Sequence, residues 1–374
     1  MTEIFKKFTT FFKGQTVLTV SFAAAVISMF FYPPCRDYFS YINTSVIILL
    51  FCLMSAVAGL RNIGVFGKAS SLLITKAGSA RSLGFIMMNL CFFSSMLLTN
   101  DVALITFVPL TIMIFEETNS KNDLAMTVVI ETASANLGSM LTPLGNPQCL
   151  YIYARYKLGL TDFIVTMLPL SVASYLLLLI MLRFLSREKF TVKPRSTPPL
   201  PVKELTVYIV LFILCLLTVS RIISDYVCLA FTIPIIFLTN KKLLLKVDYA
   251  LLMTFICFFI FSGNAGNIES VRTLVSNAVH NRELIVSAGL SQIISNVPAA
   301  VMLSEFTDKY KPLLMGVNIG GLGTPIASLA SLISYKFYAK SGLAEKGKYL
   351  RLFSIFGFSM LAILLALAFL ITKK

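Results

Sequence analysis

The chain has 374 residues, 57% of them hydrophobic and 13% charged, with a mean hydropathy of +0.84. Soluble domains run nearer about 45–50% apolar and 25% charged, so a soluble globular fold is excluded and a polytopic membrane protein is expected. The net charge of +15 does not indicate a nucleic-acid binder, because the basic residues alternate with apolar spans instead of forming one patch.

In chain order, Lys6, Lys7 and Lys13 precede a first apolar run at 15–32, which ends in Pro33-Pro34 without a small-residue cleavage site and reads as an uncleaved span. A second span covers 39–60. Residues 61–81 mix Arg61, Lys68, Lys76 and Arg81 with apolar neighbours, the pattern of an interfacial amphipathic helix. The run 83–115 is too long for one span and is interrupted by Thr99-Asn100-Asp101. A straight helix would hold Asp101 near mid-membrane at a cost of at least about 2.5–3.5 kcal/mol, so a re-entrant helical hairpin with this polar tip is expected.

Residues 122–157 cross next, broken at 142–147, where two prolines and a glycine remove helix hydrogen bonds. Residues 162–184 cross back. The stretch 186–204, with four prolines and several basic residues, is a linker between two halves, 1–185 and 205–374. The second half spans at 205–220, 225–240 and 248–264, and carries a polar interfacial piece at 265–283. A second hairpin follows at 284–305 with Ser295-Asn296 at its tip. A crossing at 312–339 is broken at Gly323-Thr324-Pro325, and a last span covers 350–371. The expected architecture is therefore all-α, with about nine spans and two re-entrant hairpins.

The two broken crossings resemble each other. Within Glu131–Asn146, Asn136, Gly138, Thr142 and Pro143 fall in register on Asn318, Gly320, Thr324 and Pro325 of the second half, and the hairpins repeat Ser95-x-x-x-Thr99-Asn100 as Ser291-x-x-x-Ser295-Asn296. Singly, small polar residues in membrane helices allow close packing and interhelical hydrogen bonds. Duplicated at one spacing, they indicate two equivalent binding elements. Placing the N-terminus inside and the C-terminus outside puts 22 of the 32 Lys and Arg on the cytoplasmic side of the cell membrane. The halves then become inverted repeats, the usual build of a secondary transporter with a midplane site.

Hydroxyls, amide oxygens and unwound carbonyls suit Na⁺, and half-helix N-termini suit an anion. Asp101 and Glu131 are ionisable groups inside spanning segments and can carry a proton or partner a cation; the structural alternative is a pair with Lys121 or Arg155. His280, the only histidine, reads as solvated, and the seven cysteines read as small apolar residues with no disulfide framework. No HExxH, GxSxG or P-loop occurs, which disfavours an enzyme and leaves an ion gradient as the energy source.

At Thr99-Asn100-Asp101, Glu131–Asn146, Ser291–Pro298 and Asn318–Ser328 the sequence resembles the ion transporter superfamily, which groups arsenite exporters and sodium/proton antiporters with citrate and dicarboxylate permeases. The resemblance covers essentially the whole chain. It implies two Na⁺-type sites, one from Ser95, Thr99, Asn100 and Gly145, the other from Ser291, Ser295, Asn296 and Ala327. Substrate is implied between Asn100 and Asn296, with Thr99, Asn146, Ser295 and Ser328 around it. It further implies a homodimer, elevator-type motion, a small anion as substrate, Na⁺ or H⁺ as coupling ion and no other cofactor. Carboxylate carriers of the superfamily look like Ser-Asn-Thr at both tips, whereas these tips read Thr-Asn-Asp and Ser-Asn-Val. Asp101 would repel a dianion, and the Asn-Asp tip looks more like the arsenite and antiporter branch. Arsenite export and sodium/proton antiport are thus the alternatives to a carboxylate or oxyanion carrier, ahead of an ion channel. In this reading Glu131–Asn146 partners Asn100 rather than its own duplicate, which builds the opposite half with Asn296.

Overall fold

The computed structural model describes residues 16–36, 38–74, 77–118, 121–187 and 199–373. Lys6, Lys7 and Lys13, on which the first-span reading leans, and the middle of the 186–204 linker lie outside these ranges. The described residues form helices and no strand. Among the described residues, eight helices are long and apolar enough to cross a membrane, so this is a multi-pass membrane protein.

The first half contains α1 (Thr16–Phe31), α2 (Thr44–Asn62), the short α3 (Val65–Ile74), α4 (Ala80–Leu98), α5 (Asn100–Thr118), α6 (Lys121–Gly138), α7 (Pro147–Arg155) and α8 (Leu160–Met181). The second contains α9 (Val202–Val219), α10 (Asp225–Asn240), α11 (Tyr249–Asn267), α12 (Glu269–Val279), α13 (Glu283–Ile294), α14 (Asn296–Leu303), α15 (Tyr310–Ile319), α16 (Leu329–Tyr338) and α17 (Lys346–Thr372).

Caps set several boundaries. Ser79 and Ser82 form a capping box at the start of α4, and the Asn146 side-chain oxygen accepts from the Cys149 N–H to open α7 just after the break. Asp248 caps α11 in the same way.

Helices α1, α2, α9, α10 and α11 pack on one another. The other group is built on α6, which is gripped by α4, α5, α8, α16 and α17. The residues of α6 that follow its first turn are buried, because its Ala, Ser, Thr and Gly side chains leave room for helices on every side.

The ends of the first hairpin, α4–α5, share a face. Arg81 donates to the carbonyls of Arg183 and Leu185, while Glu116 near the other end accepts from the Gly342 N–H. The same face holds the Lys121–Glu345 ion pair at 3.2 Å and the bonds from Ser186 to Asp123. The second hairpin, α13–α14, has its ends in another cluster. There Arg155 meets Glu305 at 3.4 Å, Thr307 donates to Glu283, and Lys309 reaches Asn281.

The alternative pairing of Asp101 or Glu131 with Lys121 or Arg155 is corrected by these contacts. Both bases are engaged elsewhere, with Glu345 and Glu305. His280 is exposed, and none of the seven cysteines is in a disulfide.

Candidate binding site between two hairpin tips

Each hairpin turns on one residue with a positive φ: Thr99 at φ 85°, ψ 145° and Ser295 at φ 77°, ψ 155°. The turn is therefore narrower than the expected polar triplet, since Asn100 and Asp101 already lie in the first turn of α5.

Both tips land on the break of the following crossing. The Asn100 N–H donates to the Gly145 carbonyl at 3.0 Å, and the Ser295 hydroxyl reaches the Ala327 carbonyl at 3.4 Å. One turn back, Thr142 donates to the Met96 carbonyl, and Thr324 donates to the Gln292 carbonyl at 3.1 Å.

Gly138 and Gly320 explain how hairpin and broken helix come this close. A Cβ on Gly138 would stand 2.7 Å from the Ser95 hydroxyl and overlap the Phe92 carbonyl. One on Gly320 would stand 2.8 Å from the Ser291 Cβ. Ser95 and Ser291 meet these glycines, and their hydroxyls donate back to the Phe92 and Ser287 carbonyls in their own helices. Pro143 sits in the first break, and Pro325 opens a short 3₁₀ turn in the second.

The reading that Glu131–Asn146 partners Asn100 and not its own duplicate is corrected here, because it pairs with both. The Asn136 side-chain Oδ1 accepts from Asn100 at 3.0 Å and from Ser328 at 2.9 Å, and its Nδ2 donates to Ser331 at 3.0 Å. Reciprocally, Asn318 accepts from Asn146 at 3.0 Å and from the Cys149 thiol at 3.3 Å. Two crossings that both unwind at the same depth leave polar groups facing each other, and burial forces those groups to pair.

One cleft lies between the tips, lined by Asn100, Asp101, Gln148, Asn296 and Ser328 among others, with about 10 Å³ of free space, about enough for a single water. Four helices begin at this cleft: α5 at Asn100, α7 at Pro147, α14 at Asn296 and α16 at Leu329. No Lys or Arg lines it. Beside it opens a vestibule of about 460 Å³, whose lining includes Thr99, Asp101, Arg61, Lys246 and Asp248.

Glu131 stands apart from the cleft. It is fully buried, one carboxylate oxygen accepts from Thr111, and the other has no hydrogen-bond partner among the described residues.

Two residues at the site give no sequence signal. Gln148 lines the cleft and donates to Asn318 at 3.4 Å; Gln292 holds the second break through the Gly320 carbonyl at 2.6 Å and the Thr324 N–H at 3.0 Å. Neither has a matching amide in the other half, so the duplication that reveals the rest passes over them.

A multi-pass helical membrane protein whose broken helices and hairpin tips enclose a polar cleft has the build expected of a transporter. The comparisons with known proteins make the class specific. The family model described as Citrate transporter matches residues 4–309, and the chain belongs to this family.

An uncharacterized transporter of Methanocaldococcus jannaschii is 35% identical over 333 residues, covering 89% of this chain and 91% of that one. Inner membrane protein YbiR of Escherichia coli is 30% identical over 304 residues, covering 79% and 80%. The silicon efflux transporter LSI3 of Oryza sativa is 31% identical over 138 residues, 37% of this chain and 28% of its own length. Among solved structures, the Alcanivorax borkumensis YdaH transporter superposes with a TM-score of 0.59 at 12% identity over 89% of this chain and 86% of its own; this likeness concerns the fold alone.

Proposed function

We propose that the protein is an ion-coupled secondary transporter of a small anion, working by elevator-type alternating access across the cell membrane. The observation that carries this reading is the convergence of four helix N-termini on a cleft with no cationic side chain. Each terminus contributes roughly half a positive charge, so together they outweigh the single carboxylate of Asp101. The amides and hydroxyl of Asn100, Asn296, Gln148 and Ser328 add hydrogen bonds without net charge.

This chemistry favours a weakly charged oxyanion or a small carboxylate over a polyanion. The name of the rice relative, a silicon efflux transporter, is in keeping with the first. Na⁺-type sites at Thr99–Asn100–Gly145 and Ser295–Asn296–Ala327 are supported by the tip-to-break contacts, although Ser95 and Ser291 are turned toward their own helices. Inverted repeats, with the N-terminus inside and the C-terminus outside, are supported by the two hairpins ending in different charge clusters and by the excess of Lys and Arg assigned inside. A homodimer belongs to the same reading.

A second reading, exchange of a cation for protons, is favoured by Glu131, whose buried carboxylate keeps one oxygen unpaired. Uptake of labelled citrate, silicate and arsenite into proteoliposomes, with and without Na⁺ and pH gradients, tests both. Gradient-dependent uptake of one of these solutes supports symport. Na⁺/H⁺ exchange without solute uptake selects the antiporter, and flux indifferent to any gradient overturns coupled transport.

A further inference from the structure

The two breaks hold each other by one contact pattern used twice. Asn136, in the helix before the first break, bonds the side chains of Ser328 and Ser331, the N-cap and third residue of α16 beyond the second break. Asn318, in the helix before the second break, bonds the side chains of Asn146 and Cys149, the N-cap and third residue of α7 beyond the first. Each partner in one set lies at the same sequence offset from its counterpart in the other.

All six residues are buried: Asn136 is 5% exposed, Asn318 2%, Asn146 and Ser328 1%, Ser331 and Cys149 0%. A buried amide held from two sides fixes the direction of what it holds, because any rotation leaves a polar group unpaired. The starting direction of α7, which bounds the first half of the cleft, is thus set by a residue of the second half, and that of α16 by a residue of the first.

The partners are repeated but the donors are not: the Asn136 amide donates to Ser331, whereas the Asn318 side-chain oxygen accepts from Cys149 and also from Gln148. Asn136 also accepts from Asn100 at the first tip, while the second tip makes its hydroxyl contact to Ala327. One amide therefore links tip one, the α6 crossing and the N-terminus of α16.

We propose that Asn136 and Asn318 are positioning residues that make the two half-sites interdependent, so that ordering one tip pre-orders the other. The inference rests on the ion-coupled reading above and deepens it. A cation at Asn100 and Gly145 fixes the Asn100 amide. That amide fixes Asn136, and Asn136 fixes the N-cap of the helix on which the second half-site is built. Without the exchange, each half-site would fill by itself.

The test is hydrogen–deuterium exchange of the purified full-length protein in lipid nanodiscs, titrated with NaCl against choline chloride and read on peptides covering each tip. In the parent protein, protection at the Thr99 and Ser295 tips is expected to rise at one shared Na⁺ midpoint. Ser331→Ala removes one partner of Asn136 without touching either tip, and is expected to separate the two midpoints by roughly threefold to tenfold, the weight of one buried hydrogen bond. Asn136→Ala should separate them further. Ser331→Thr, which keeps a hydroxyl oxygen able to accept from the Asn136 amide, should bring the midpoints back together. A merely structural role would lower protection throughout and leave the midpoints joined. Shared midpoints in both Ser331→Ala and Asn136→Ala, or separate midpoints in the parent, overturn the inference. A parent protein that answers to Na⁺ at neither tip, nor to a change of pH, overturns the ion-coupled reading and this inference with it.

Discussion

Thr99 and Ser295 adopt one backbone conformation, with φ of 85° and 77° and ψ of 145° and 155°, at the turning points of two hairpins in different halves of the chain. Side-chain-bearing residues pay about 1–3 kcal/mol in such regions, and two copies of the same strain at the two hairpin tips mark it as a feature of the proposed site. Glycine would relieve it at a cost of about 0.5–1 kcal/mol in chain entropy. Thr99→Gly and Ser295→Gly are therefore each expected to raise thermal stability in detergent by about 1 kcal/mol while lowering transport, because the tip is no longer held. A lower melting temperature in either variant would remove the strain argument.

Asn100 and Asn296 each begin a helix at the inter-tip cleft, and Asn100 also ties its tip to Gly145 and Asn136. Asn100→Ala and Asn296→Ala are each expected to abolish solute uptake in proteoliposomes with membrane expression intact. Near-normal flux from either would refute a site shared between the tips.

How much of this was open to a reader of the sequence differs by residue. The helical membrane architecture follows from apolar runs of span length, and the breaks at 142–147 and 323–325 from proline and glycine inside such runs. The likeness of the two halves is legible because Asn136 and Asn318, or Thr142 and Thr324, occur in register. Contact between the breaks is not. Spacing along one helix says which residues share a face, but which face meets which helix of the other half is settled by packing. Gln148 and Gln292 stay hidden for a related reason, since a lone glutamine beside a break looks like any solvated amide until its partners are placed. The inward turn of Ser95 and Ser291 follows from helical geometry, where a buried serine without a neighbour donates to its own backbone.

Gly138 and Gly320 permit the contact between each hairpin and its broken helix. A methyl group at position 138 meets the Ser95 hydroxyl at 2.7 Å and overlaps the backbone at Phe92, and one at position 320 meets the Gly316 carbonyl and the Ser291 Cβ, both at 2.8 Å. Neither helix can shift without moving a tip. Gly138→Ala and Gly320→Ala are each expected to cost about 1–3 kcal/mol of stability, the usual price of overpacking, and to depress uptake. Gly289→Ala, where nothing stands within 4 Å, is the control. Melting temperatures equal to the control would show that the close approach is not needed.

Asp101 and Glu131 are separated by their surroundings. Asp101 lines both the cleft and the vestibule, whose lining also holds Asp248, so a proton can reach it from water. Glu131 is sealed, with Thr111 on one oxygen. Protonating Asp101 removes the one negative charge beside the four helix N-termini, which strengthens their hold on an anion, so uptake should rise as the pH falls. Asp101→Asn fixes the neutral form and is expected to leave uptake flat with pH at the level the parent reaches in acid. Glu131→Gln keeps the size and the bond to Thr111, and is expected to retain the parent's pH slope. Initial rates of proteoliposome uptake across a pH series decide between them. A slope unchanged in Asp101→Asn and lost in Glu131→Gln would move the proton to the buried glutamate and favour the antiporter reading.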